Sequence, residues 1–171
     1  GYFEPVGNTK SVSLGDAGAA YTEKTWNDTT PSSTVFTLGA STETSSHRFN
    51  YTGEDFIAYC FHSVEGYSKV GGYTGANSTD SNFLYCGFKP AMVILKNVGA
   101  TEQWALYDDK RNTYNLVDDR LRPNSNAAED VHSGLDFVSN GIKIRNGNIS
   151  APQEYIYVAF ASHPFKYSNA R

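Results

Sequence analysis

The stretch YIYVAFAS at residues 155–162 decides the fold class, because it is an unbroken run of aromatic, β-branched and small apolar residues. A short run of this kind suits a central β-strand that is covered on both faces. Two further runs have the same character, FIAYCF at residues 56–61 and AMVILK at residues 91–96. The second is entered through Lys89-Pro90, and proline commonly marks the first residue of a strand. We therefore expect three central strands in an all-β protein.

The composition supports this interpretation and excludes several other classes. Among 171 residues there are 12 Tyr and 10 Phe but one Met, and charged residues make up 19%. Aromatic side chains suit pleated sheets, so a helical bundle and a coiled coil are excluded. The net charge is -4, which leaves no basic face for a nucleic acid. The longest apolar run, residues 91–95, is far too short to span a membrane, and residues 1–5 show no signal-peptide pattern.

The tripeptide Ser139-Asn140-Gly141 separates two short apolar runs, residues 135–138 and 142–145. Asn-Gly between such runs is a strong signal for a β-hairpin, because both residues tolerate positive φ. Alternation along the second run predicts that Ile142 and Ile144 point towards the core.

Shorter strands are expected at residues 35–39, 67–74, 83–86 and 102–107, and a single helical turn after Ser125-Asn126. Many short strands separated by turns are typical of a β-sandwich or a jelly roll. We therefore predict an all-β, β-sandwich or jelly-roll-like fold.

An internal repeat is visible when FIAYCFHS at residues 56–63 is placed over YIYVAFAS at residues 155–162. Aromatic, isoleucine, phenylalanine and serine positions coincide, and weaker similarities precede both runs. The alignment predicts that residues 1–66 are the C-terminal part of a first β repeat and that residues 67–171 are a complete second repeat, packed together without a flexible linker. We expect the first repeat to be completed by upstream residues of a longer protein or by a neighbouring chain.

Residues that could carry chemistry are few. Asp108-Asp109 and Asp118-Asp119 are adjacent pairs whose side chains point in opposite directions on a strand, so neither pair can flank a glycosidic bond. We interpret them as turn carboxylates. Cys60 and Cys86 are expected to be buried free thiols, although the sequence leaves their pairing open. The four histidines have no metal-ligand spacing, and we predict no catalytic residue, metal or cofactor.

The best candidate for ligand binding is the segment that contains Trp104, Tyr107, Asp108, Arg111 and Asn112. Sugars are held by an aromatic face on one side and by planar polar groups on their hydroxyls, and the segment offers both near a predicted loop. The alternative interpretation is a core tryptophan followed by an ordinary surface turn.

The order of several motifs resembles a known family. The motifs lie at residues 56–61, 65–69, 73–75, 87–90, 110–112, 136–137, 139–141, 155–161 and 164–167. Together they resemble an uncharacterised β-rich repeat domain of tail-fibre-like and other virion structural proteins of marine tailed bacteriophages. The similarity extends over nearly the whole chain.

The resemblance implies a non-enzymatic virion component, the C-terminal part of a tail fibre or adhesin-like protein that contacts the host cell surface. Its partners would be other virion or tail proteins and a host-surface glycan or protein. Its location would be the phage tail or surface, outside the cell. Tail fibres also suggest a homo-oligomer, a trimer by analogy. A purely structural or decoration module is the first alternative, and a polysaccharide depolymerase is the second.

Overall fold

A computed structural model describes residues 1–39, 50, 53–145 and 147–163 of the chain. This part of the chain contains ten strands and two single turns of 3-10 helix, with no α-helix. The strands are β1 (Lys10–Ser11), β2 (Tyr21–Thr22), β3 (Ser68–Thr74), β4 (Phe83–Tyr85), β5 (Pro90–Asn97), β6 (Ala105–Asp108), β7 (Val117–Arg120), β8 (Asp130–Val138), β9 (Gly141–Ile144) and β10 (Glu154–Ala161). The all-β prediction is confirmed.

Two antiparallel four-stranded sheets form the body of the molecule. The first has the strand order β3-β10-β5-β6, and the second has the order β4-β9-β8-β7. A bridge between Leu106 and Leu121 links the β6 edge of the first sheet to the chain that follows β7. The sheets face each other across a core of aliphatic and aromatic side chains, which makes the fold a β-sandwich.

Strand β10 is central in the first sheet, as its unbroken apolar sequence predicts. It pairs with β3 on one side and with β5 on the other. Tyr157 and Ala159 point into the core between the sheets, whereas Ile156 joins a second apolar cluster on the outer face. The prediction of strands at residues 91–96 and 67–74 is confirmed by β5 and β3.

The hairpin at residues 135–145 is confirmed, with one change in its turn. Val138 pairs with Gly141, so the two loop residues are Ser139 and Asn140. Gly141 is instead required by packing, since a Cβ there would lie 2.2 Å from the carbonyl oxygen of Leu84 on β4. Ile142, as predicted, is fully buried in the core.

The amino-terminal segment, residues 1–39, lies outside the sandwich and covers part of the outer face of the first sheet. Val12, Phe3 and Val6 pack around Trp104 and Ile156 there. Backbone hydrogen bonds fix this layer, among them the one from the Glu102 N–H to the Ala17 carbonyl at 2.8 Å. These residues, which we call the amino-terminal layer, therefore form a third layer of the fold over one end of the first sheet.

The predicted central strand at residues 56–61 is wrong. Residues 54–63 form no strand and all ten are exposed, with Ile57 at 81% and Tyr59 at 80%. A strand needs a hydrogen-bonded neighbour, and the described residues supply one only where Val64 bridges Ser68. Cys60 is consequently exposed, against expectation, while Cys86 is buried.

Two smaller predictions also fail. Residues 35–39 form no strand, and no helical turn follows Ser125-Asn126. Both segments are polar or exposed and pack too little apolar surface to fix a regular backbone. Within the described ranges, no helix has the length and apolar character needed to cross a membrane.

Candidate functional site

The aromatic half of the predicted binding segment is not at the surface. Trp104 is 2% exposed, packs against Phe3, and donates its indole N–H to the carbonyl of Ser13 at 2.9 Å. Tyr107 is fully buried in the core between the sheets. Neither ring has a free face on which a sugar could stack, because the amino-terminal layer covers Trp104 and the second sheet covers Tyr107. The alternative interpretation of Trp104 as a core residue matches this placement.

The polar half of that segment forms a turn after β6. The backbone N–H groups of Lys110 and Arg111 donate to a carboxylate oxygen of Asp108, each at 2.9 Å. Arg111 also pairs with Asp108 and with Glu129, and Asn112 accepts from the backbone N–H of Asp119 at 2.8 Å. These groups bind each other, so the five predicted residues do not converge on one ligand surface.

A different feature does form a concave surface. An open cleft of about 510 Å³ lies between the amino-terminal layer, the loop before β6 and the adjoining ends of β7 and β8. Six of its lining residues carry planar polar groups: Glu102, Gln103, Arg120, Arg122, His132 and Asn148. We refer to it as the polar cleft.

An arginine–carboxylate clamp forms one wall of the polar cleft. Arg120, at 6% exposure, donates from Nε and Nη2 to the two oxygens of Asp130, at 3.2 and 2.8 Å. Arg122 donates to the same carboxylate at 2.5 Å. The hydrogen bonds from Arg120 lower the pKa of Asp130 most; burial opposes them, and the charges of Arg120 and Arg122 lower the pKa further. The carboxylate is therefore ionised and holds both guanidinium planes in fixed orientations.

The clamp exists because the register of the second sheet shifts. Val117 pairs with Leu135, yet Asp119 pairs with Val131 and Arg120 with Asp130. The β8 strand thus has two more residues than β7 between these pairs. Irregularities of this kind re-aim side chains at the end of a strand. Without the shift, the register of Val117 with Leu135 would continue to place Arg120 opposite His132; the shift places it opposite Asp130 instead.

His132 lies next to the clamp on β8. Its Nε2 is buried and has no hydrogen-bond partner within the described residues. Burial, and then the positive charge of Arg120, lowers the pKa of this imidazole; Asp130 and Glu102 act in the opposite direction, and Arg122 lowers it further. The imidazole is neutral at pH 7, so it can donate one hydrogen bond and accept another.

Side-chain amides hold the loop that brings Glu102 and Gln103 to the cleft. The Asn124 amide accepts from the Trp104 backbone N–H at 3.1 Å and donates to Oε1 of Gln103. Glu102 accepts from the Asn97 amide at 3.1 Å. These bonds fix the loop before β6, so the amide and carboxylate groups at the mouth of the cleft are held before any ligand arrives.

This arrangement suits reversible binding of a polar ligand. Guanidinium, amide and imidazole groups offer paired donors and acceptors, which is what a polyhydroxylated molecule requires. In the part of the chain that the structure describes, no three His, Cys, Asp or Glu side chains come together to hold a metal ion.

Comparison with known proteins supplies the family. The family model described as Domain of unknown function (DUF7483) matches residues 3–164. The chain belongs to the DUF7483 family. The matched region includes both sheets, the amino-terminal layer and the polar cleft. No curated protein and no solved structure matched the chain.

The sequence patterns considered above did not predict the residues of the polar cleft in this DUF7483 domain, although the sequence contains a signal for them. Arg120 and Arg122 are two residues apart, as are Asp130 and His132, and residues at that spacing share one face of a strand. Two predicted strands that each carry titratable residues two positions apart would have indicated a polar site at the end of the sandwich. What the sequence could not supply is the register that places Arg120 opposite Asp130.

Proposed function

We propose that this DUF7483 domain is a non-enzymatic module of a bacteriophage virion, in a tail fibre or adhesin-like protein, and that its polar cleft binds a glycan of the host cell surface. The observation that carries the binding part is the cleft itself, an open concave surface with six planar polar groups. The phage assignment rests on the ordered motifs of the sequence, which resemble virion repeat domains.

The chemistry of the polar cleft favours a sugar over an apolar ligand. Asp130 fixes Arg120 and Arg122, yet each guanidinium has more N–H groups than these hydrogen bonds use. Paired N–H donors match vicinal hydroxyls or a sugar carboxylate in two-point contacts. Gln103 and Asn148 add amide groups at the rim of the cleft. Specificity would then come from hydrogen-bond geometry, with little help from aromatic stacking.

A binding role agrees better with the carboxylates than a depolymerase does. Glycoside hydrolysis needs one carboxyl group as an acid and a second as a nucleophile or base, about 5 to 9.5 Å apart. Asp130 is ionised, so it has no proton to donate, and both of its oxygens accept hydrogen bonds from arginines, so neither is free to attack a sugar. Glu102 is engaged by the Asn97 amide. The polysaccharide depolymerase therefore remains the less favoured alternative.

A structural or decoration module is the second candidate, and one observation favours it. The segment of residues 54–63 is exposed and rich in apolar side chains, which is typical of a surface that contacts protein. A spacer would use that segment and leave the polar cleft empty of ligand.

A glycan array probed with the labelled chain tests the proposal. We expect selective retention on a few glycans, and we expect Arg122→Gln to abolish it, because Arg122 lines the cleft while Arg120 still neutralises Asp130. Arg111→Gln is the matched control, since Arg111 also pairs with carboxylates but lies in the turn after β6.

The outcomes separate the candidates. No selective retention would support the structural module and contradict glycan binding. Loss with Arg111→Gln but not with Arg122→Gln would move the site to the turn after β6. New reducing ends after incubation with host polysaccharide would support the depolymerase.

A further inference from the structure

The exposed segment, residues 54–63, has an unusual surface. Phe56 is 50% exposed, Ile57 81%, Tyr59 80% and Phe61 66%. Soluble proteins seldom leave such a continuous run of large apolar side chains in water, and those that do commonly use it for binding. Among the described residues, Phe61 is the one aromatic ring of the segment that contacts the sandwich, against Phe160 at 6.3 Å.

The backbone of this segment is equally unpaired. Within the described residues, no N–H or C=O group between residues 54 and 61 has a hydrogen-bond partner. Pairing begins only at His62, whose carbonyl accepts from the Ser68 hydroxyl at 2.9 Å, and at Val64, which bridges Ser68. Unpaired groups of this kind along an extended apolar run are a template for an added strand.

The sequence of the segment indicates which kind of strand could pair with it. Residues 56–63 align with residues 155–162, and the latter include most of β10. β10 is flanked by β3 and β5, and both of its own edges are filled. A strand with the sequence pattern of β10, such as residues 56–61, is therefore suited to pair with an exposed edge strand of a sheet like the first sheet.

In the first sheet, β3 is an edge strand, and its outer edge is the one that could accept such a strand. Hydrogen bonds from Gly75 to Gln153 and from Ala161 to Tyr67 show that odd-numbered residues of this strand face β10. Even-numbered residues therefore direct their peptide groups outward. Ser68 is satisfied by Val64, and a hydroxyl caps Val70.

Towards the far end of β3 the edge is open. The outward peptide groups of Gly72 and Thr74 have no partner within the described part of the chain. The hydroxyl that caps Val70 belongs to Ser63, so the chain's own exposed segment leaves the edge of β3 before it reaches Gly72. In the described part of the chain this edge is therefore open to a strand from another molecule.

We propose that residues 56–61 add as a strand to the outer edge of β3, at Gly72 and Thr74, in a second copy of this chain. Exchange of the segment in both directions gives a twofold dimer. Four large side chains at these exposures offer on the order of 500 Å² from each copy, since an aromatic residue buries roughly 150 to 250 Å². The two segments together reach the roughly 1,000 Å² that a specific interface needs.

Sedimentation velocity of the whole chain in reducing buffer, over a range of concentrations, tests the proposal. We expect a reversible dimer, and we expect Tyr59→Lys to weaken its Kd by at least about tenfold, because a charge enters an apolar contact. Tyr114→Lys is the matched control, since Tyr114 is 86% exposed outside the segment and should leave the Kd unchanged.

A second variant tests the edge of β3. Thr74→Pro removes an outward N–H but no bond to β10, and proline is tolerated on an edge strand in this orientation. The monomer should melt normally while its dimer dissociates. A matching readout is the thiol of Cys60, which should react with an alkylating reagent more slowly as the protein concentration rises. Cys86 is buried, and burial raises its pKa to about 11, so the reaction reports on Cys60.

Three results would overturn the proposal. A chain that stays monomeric at every concentration would mean that the exposed segment binds a different protein or another part of a longer chain. A dimer that survives both Tyr59→Lys and Thr74→Pro would use another surface. Equal weakening by Tyr114→Lys would indicate nonspecific association. None of these outcomes depends on glycan binding in the polar cleft.

Discussion

Two isoleucines that occupy the same position in the internal repeat should differ sharply in their contribution to stability. Ile57 aligns with Ile156 in the sequence, and the alignment alone predicts equal effects. In the structure Ile156 is fully buried among Val12, Val98 and Trp104, whereas Ile57 is 81% exposed. The comparison of Ile57→Ala with Ile156→Ala therefore separates sequence similarity from burial.

The burial values give the magnitudes. Replacing isoleucine by alanine removes three carbon groups, which is worth roughly 2 to 3 kcal/mol when all are buried. The cavity left by Ile156→Ala brings the expected loss to about 3 to 4 kcal/mol. The side chain of Ile57 is about one-fifth buried, so Ile57→Ala should cost no more than about 0.5 kcal/mol.

Urea unfolding followed by tryptophan fluorescence measures both losses in the same buffer. The protein must be dilute enough to be monomeric, so that any dimer does not contribute to the unfolding free energy. The m-values should be unchanged, because both variants fold to the same structure. Similar losses for the two variants would contradict this prediction, since they would require residues 56–61 to be packed in a sheet within one chain.

Three further predictions, made with four variants, concern the core and the polar cleft. Trp104→Ala should lower the free energy of unfolding by about 3 to 5 kcal/mol in the same urea assay, as for other buried aromatic residues. A small loss would indicate that Trp104 is exposed. Tyr107→Phe removes a buried hydroxyl that has no partner in the described residues, so it should be neutral or stabilising. Tyr73→Phe loses a 2.8 Å hydrogen bond and should cost about 1 kcal/mol of stability. A larger loss for Tyr107→Phe than for Tyr73→Phe would contradict these hydrogen-bond assignments. The lowered pKa of His132 means that the unfolded chain takes up its proton first as the pH falls below about 6.5, so stability should decrease from pH 7 to pH 5, and less so in His132→Gln; an unchanged pH profile in that variant would contradict the burial of this side chain.

Local sequence patterns predicted the strands whose neighbours lie in the same sandwich. The apolar runs at residues 91–96 and 155–160 and the hairpin around Asn140 all form as expected. The run at residues 56–61 has the same composition and forms no strand. Its composition describes a strand that needs two neighbours, and composition carries no information on whether the chain supplies them.

The binding surface was harder to predict for a related reason. Trp104 and Tyr107 have the residue types of a sugar site, but the amino-terminal layer covers one ring and the second sheet covers the other. The amino-terminal layer has only two short strands, and no period in the sequence marks it. The clamp of Arg120 and Asp130 depends on a register shift, which follows from tertiary packing and leaves no local trace.

The most direct test of glycan binding in the polar cleft is an NMR titration of the isotopically labelled chain with the glycan that the array retains most strongly. We predict that the largest amide shifts fall on Gln103, Arg120, Arg122 and His132, that they saturate, and that Arg122→Gln removes them. Shifts confined to the turn at residues 108–112 or to the exposed segment, or no saturable shift at any amide, would contradict it.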